Sequence, residues 1–138
     1  MITKEDKELL LKDLCARLPY GVKVQVDSKH WCDFNSSIPS KLTFENSYRL
    51  LFVGTNLGYV KPYLFPLSSM TEEQLKDVKS VLHQEIIDIY ENCSEERKVP
   101  EYPQTWYYVQ NWYNAHHFDY QGLIEKGLAI DATGLNIY

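Results

Sequence analysis

Groups that could do chemistry gather in two short stretches of this sequence. The first is His116-His117 with Asp119 two residues on. An imidazole can move protons near neutral pH, and a carboxylate can fix its tautomer. Neighbouring positions on a helix point about 100° apart, however, so two adjacent histidines rarely serve one ligand. The same residues also describe a helix C-terminus, with imidazoles beside the negative end of the dipole and Asp119 ready to cap the next element. This second reading is the expectation, and an enzyme using His116 or His117 is the minor alternative. The other stretch is His30-Trp31-Cys32-Asp33. It lacks the spacing of a four-ligand zinc site and reads as a loop. The cysteines, Cys15, Cys32 and Cys93, are odd in number and form no CxxC. Cys15 and Cys93 fall among apolar helical positions and are expected as buried thiols. A glycine-rich phosphate loop, GxSxG and HExxH are all absent. No catalytic residue, metal or cofactor is predicted.

Binding is the better-supported use of the chemistry. The chain carries 11 Tyr, 5 Phe and 3 Trp, an excess that suits half-buried and interface positions. Trp106, Tyr107, Trp112 and Tyr113 crowd one segment. Trp106 and Tyr113, seven residues apart, share a helical face that Tyr107 does not, so some aromatic surface should stay exposed. Trp31 belongs to no periodic pattern. It is either an anchor folded onto the domain or a contact for a partner. With His116 and His117, these five aromatics are the candidate binding residues.

Charge excludes some partners. Lys and Arg number 14 against 19 Asp and Glu, a net charge of −5, and the basic residues are scattered. Duplex nucleic acid needs a clustered basic face, and no polybasic membrane segment is present. No apolar run approaches the roughly 18 residues that cross a bilayer. The charged start, Met1 to Glu8, has no signal-peptide core. The expected location is the cytoplasm. At 138 residues the chain has the size of one domain.

The secondary structure around these groups can be read in chain order. Thr3 caps a first helix, with Asp6 in an imperfect capping box. Leu10, Leu14 and Leu18 form its stripe, widened by Leu11 and Cys15, and Pro19 ends it near Arg17. Val22, Val24 and Val26 alternate with Lys23 and Gln25 as a half-buried strand. Asp27 to Ser40 reads as a loop, Leu42 to Glu45 as a short strand, and Tyr48 to Val53 as a central strand. Tyr59 to Leu67 is extended, and its prolines, Pro62 and Pro66, fit an edge. Thr71-Glu-Glu-Gln74 is a capping box, flanked by the staple Met70 and Leu75, for a helix from Glu72 to about Asn92. An aromatic helix starts at Pro103 or Gln104 and ends near His116-His117. Asp119 then caps a short helix over Tyr120 to Lys126, stopped by Gly127. The fold class is α+β: an N-terminal helix, a small antiparallel sheet or open barrel over about 22–67, then two to three helices, all in one domain over 1–138.

Three stretches carry a family resemblance: Leu10–Gly21 (LLKDLCARLPYG), Val60–Gln74 (VKPYLFPLSSMTEEQ) and His117–Ala129 (HFDYQGLIEKGLA). In them the chain resembles a family of short, uncharacterised proteins of phages and mobile elements of gut bacteria. The resemblance covers about a third of the chain and leaves out Val22 to Tyr59. It implies a phage-related accessory role in a host cytoplasm and transfers no catalytic residue. A non-enzymatic binding protein that engages a host protein is therefore the leading expectation. The alternative is a protein that binds or sequesters a nucleotide-like small molecule, with aromatic stacking and cations drawn from Arg17, Arg49, Lys61 or Arg97.

Overall fold

A computed structural model describes residues 2–26, 39–54, 60–81 and 102–138. Helix α1 spans Lys4–Arg17, and its start matches the sequence: the Asp6 amide donates to Thr3 Oγ1 at 3.1 Å and the Thr3 amide to Asp6 Oδ2 at 3.4 Å. Its buried face is Leu10, Asp13, Leu14 and Arg17. The stripe is thus rotated from the expected one. Leu11 only packs at the margin of the core, and Cys15, expected to be buried, is exposed. An aspartate and an arginine four residues apart take the inward positions instead. A single 3₁₀ turn, Leu18–Tyr20, carries Pro19 and closes at Gly21, whose φ of 70° is the left-handed geometry that glycine adopts without strain.

Strand β1, Lys23–Val26, alternates as expected, with Val24 and Val26 buried. It pairs antiparallel with β2, Ser40–Lys41, in the register Lys23↔Lys41, and with β3, Val60–Pro66, in the register Gln25↔Lys61. Two expected strands are corrected. Residues 42–45 do not form one, because Thr43 and Asn46 exchange side-chain bonds (Thr43 N–H to Asn46 Oδ1, 2.9 Å; Asn46 N–H to Thr43 Oγ1, 3.4 Å) and turn the chain. Tyr48–Gly54, expected as a central strand, is a π-helical turn. Leu50 and Leu51 are adjacent and both buried. The Leu50 amide donates to the Asn46 carbonyl at 3.0 Å, a helical bond that leaves it unavailable to a strand ladder.

β3 is the hub of the sheet, not its edge. β1 pairs with its first half, β5 (Ile130–Asp131) with Tyr63 and Leu64, and β4 (Phe118–Asp119) with Phe65 and Pro66; the last two pairings are parallel. Each proline removes one ladder donor. β3 absorbs both losses because it changes partner every two or three residues and Pro66 lies at its end. The α+β class stands, and the sheet is mixed and open, drawing two strands from beyond residue 67.

Helix α2 covers residues 72–81. Its capping box is present, with Gln74 N–H to Thr71 Oγ1 at 3.2 Å and Thr71 N–H to Gln74 Oε1 at 2.9 Å. Val78 is buried, whereas Leu75 is exposed. Helix α3 spans Tyr102–Ala115. After β4, residues 120–127 form turns rather than the expected short helix, closing at Gly127 with φ 74°. The core joins Leu10 and Leu14 of α1 to Val24, Val26, Val60 and Leu64 of the sheet, with Leu50, Leu123 and Leu128 completing it. The C-terminal segment docks back on the sheet: Tyr138 Oη accepts from the Lys23 amide at 2.8 Å and donates to the Tyr63 carbonyl at 2.8 Å. No helix among the described residues is long and apolar enough to cross a membrane.

Candidate functional site

The two histidines sit where α3 must stop. His116 and His117 donate their amides to the carbonyls of Trp112 and Asn114, and His117 then adopts φ 63°, a left-handed C-terminal stop made by a residue other than glycine. Their rings go separate ways. His116 is exposed, lies on the Trp112 ring at 3.9 Å between centroids, and places Nδ1 2.9 Å from the Trp112 carbonyl. His117 is half-buried and stacks on Tyr138 at 3.7 Å. Burial, and then the charges of Arg17, His116 and Lys23, press its pKa down to about 4, and its Nδ1 is buried without a partner. Asp119 orients neither ring. Its two oxygens accept the amides of Leu123 and Ile124 at 2.8 and 2.9 Å, capping the turn after β4.

Below this corner lies a pair that sequence reasoning did not place. Arg17 and Asp13 are both fully buried, with Nε to Oδ2 at 2.8 Å. Arg17 Nη2 also donates to the Phe118 carbonyl at 2.6 Å, and Gln121 Nε2 donates to Asp13 Oδ1 at 3.0 Å. The guanidinium lies 5.5 Å from the centre of the Tyr120 ring. Burial raises the pKa of Asp13, with Arg17 opposing the rise. The pair ties α1 to β4 and to the turn after it. Its only trace in the sequence is an i, i+4 pair of opposite charge, a spacing that more often marks a solvated helix face.

The aromatic residues largely pack on one another. Trp112 stacks with Phe118 at 5.8 Å, Tyr113 with Tyr120 at 5.7 Å, and Phe65 meets both Phe118 and Tyr138. Trp112 and Tyr113 are half-buried in this belt. Trp106 and Tyr107 lie on the α3 backbone, and Trp31 falls outside the described residues, as do His30, Cys32, Asp33 and Arg97. The structure therefore brings together Trp112, Tyr113, His116 and His117 at one corner. Arg17, offered as a cation for a nucleotide, is committed to Asp13 and Phe118. Among the described residues no group of three or more His, Cys, Asp or Glu could hold a metal ion.

Two further features were not singled out from the sequence. Between α1, α3 and the turn after β4 is a recess of about 290 Å³, lined by Lys12, Ala16, Gln110, Asn111, Asn114, Tyr120 and Gln121. Asn114 is 2% exposed and its Oδ1 has no partner. The other feature is the turn before the π-helical segment and that segment's first residue, where Phe44 is 87% and Tyr48 is 70% exposed. The turn is tied by Asn46 Nδ2 to the Lys41 carbonyl at 3.0 Å and by Ser47 Oγ to the Phe44 carbonyl at 2.8 Å, besides the Thr43–Asn46 exchange. No protein-family model, curated protein or solved structure matches this chain.

Proposed function

We propose that this chain is a non-catalytic binding protein that engages a protein partner through the turn carrying Phe44 and Tyr48. One observation supports the reading above the others: a turn held by four side-chain hydrogen bonds keeps Phe44 in solvent, and Tyr48, which opens the π-helical segment after it, is exposed as well. A rigid support lowers the entropy lost when a partner covers exposed aromatic surface. Aromatic residues are also frequent energetic centres of interfaces. In the phage setting that the resemblance implies, the partner is a host protein and the role is accessory.

The test compares wild type with a Phe44→Ser/Tyr48→Ser double variant. Immobilised wild-type protein captures partners from bacterial lysate, and each captured protein is purified and titrated against both forms. The double variant should keep its stability within about 0.5 kcal/mol, as expected of surface changes. It should lose about 2 kcal/mol or more of binding, roughly thirtyfold in Kd. Equal affinity of the two forms for every captured protein would remove this turn from the interface.

A further inference from the structure

We propose that the recess between α1 and α3 binds a small polyhydroxylated ligand bearing one anionic group, a sugar phosphate or a sugar acid. The recess shares no residue with the Phe44–Tyr48 turn, so this inference does not depend on the protein partner. Its volume of about 290 Å³ lies at the bottom of the range for small-molecule sites, which suits a monosaccharide and not a dinucleotide.

Among the described residues, four of the seven that line the recess carry carboxamides. Gln110, Asn111 and Asn114 stand on one face of α3, and Gln121 comes from beyond β4. A carboxamide offers a donor and an acceptor side by side, and a hydroxyl answers both. Two of the four have fixed demands. The Asn114 Oδ1 is a buried acceptor with no partner, which is costly unless a ligand donates to it. Gln121 gives its Nε2 to Asp13, which orients the amide and leaves its oxygen to accept. The inner part of the ligand must therefore donate. Among the described residues no carboxylate lines the recess, so an ammonium there would be buried without a counter-charge. Hydroxyl groups fit instead. Lys12 is exposed and, among the described residues, is the one charged group of the lining, which places the ligand's anion at the mouth. The Tyr120 ring is already engaged by Tyr113 and by the Arg17 guanidinium, so a stacked nucleobase is disfavoured.

The test is calorimetric titration of the whole chain with glucose 6-phosphate, gluconate, glucose, AMP, glutamate and inorganic phosphate, with ¹H–¹⁵N spectra of the side-chain amides. Saturable binding of glucose 6-phosphate or gluconate is expected, with shifts centred on Gln110, Asn111, Asn114 and Gln121. Which of the two binds tighter separates the phosphate ester from the carboxylate. Glucose should bind at least tenfold more weakly. Lys12→Ala should lower affinity for the preferred anionic sugar at least tenfold and erase its advantage over glucose. Asn114→Leu should abolish binding, and Gln110→Leu gives a second reading if that variant does not fold. The proposal is overturned if neither anionic sugar saturates the protein at millimolar concentration. It is equally overturned if AMP, glutamate or phosphate alone binds as tightly, or if Lys12→Ala changes nothing.

Discussion

Removing either partner of the buried Asp13–Arg17 pair should be costly, and the two losses should differ in their response to pH. Asp13→Ala strands a guanidinium that is fully buried and retains only the Phe118 carbonyl at 2.6 Å and the Tyr120 ring. A guanidinium cannot shed its proton, so the cost should be about 3–5 kcal/mol, typical of a broken buried pair, and no titration of Arg17 relieves it as pH falls. Arg17→Met strands a carboxylate that can escape by taking up a proton. Burial already raises the pKa of Asp13 against the pull of Arg17, and without Arg17 it should rise further. The cost at pH 7, about 3 kcal/mol by the same reasoning, should therefore shrink as pH falls. The double variant Asp13→Leu/Arg17→Met restores an apolar interior and leaves only the Phe118 carbonyl and the Gln121 amide short of a bond. At about 1 kcal/mol for each lost bond, it should cost about 2 kcal/mol, far below the sum of the singles. Urea titrations of the four proteins at pH 5 and pH 7.5 complete the cycle. Additive single losses, or an Arg17→Met cost that ignores pH, would show that the pair is not the isolated buried charge couple described above.

His117, with its pKa pressed to about 4 from an ordinary 6.5, binds fewer protons folded than unfolded between those values, so stability should fall as pH drops from about 6.5 toward 4. Allowing for its partial exposure, the loss should reach about 1–2 kcal/mol; His117→Asn, which tolerates the φ of 63°, should remove that part of the pH profile, and an NMR titration of the ring checks the value. Tyr138→Phe keeps the His117 stack but deletes the hydroxyl shared by Lys23 and Tyr63, and should lower stability by about 1–2 kcal/mol in thermal melts. Thr71→Ala removes the acceptor of the Gln74 amide and should cost about 1 kcal/mol in equilibrium denaturation.

Much of what local chemistry decides is legible in the sequence. Both capping boxes, the alternation of β1 and the end of α3 at His116-His117 rest on interactions within four residues, and all of them can be read there. Errors arise where a partner distant in sequence overrides the local pattern. Asp13 and Arg17 look like a solvated pair until Phe118, 101 residues further along, supplies a buried carbonyl. The prolines of β3 argue for an edge, but the partners that make it a hub are two-residue strands at 118–119 and 130–131, too short to show alternation. Tyr48–Gly54 has the apolar density of a buried strand. Only the Thr43–Asn46 exchange, a capping pattern with asparagine in place of the usual Glu or Gln, announces a helical turn. Of the candidate site, the histidines and the α3 aromatics are visible in the sequence. The recess is not, because its walls come from three segments that meet only in the folded chain.

The charge pair and the recess are linked through shared atoms. Asp13 holds Arg17 with one carboxylate oxygen and Gln121 with the other, and Gln121 is a wall of the recess. Arg17 in turn braces the ring of Tyr120, another wall, and holds the carbonyl of Phe118 two residues before it. An apolar stripe on α1 would lose only the bonds to the Phe118 carbonyl and the Gln121 amide, about 2 kcal/mol, since well-packed hydrophobic residues often replace a buried ion pair at little loss. What an apolar stripe would not provide is a fixed amide orientation at Gln121. A charged pair placed against two walls of a polar recess is therefore better explained as the support of that recess than as a source of stability.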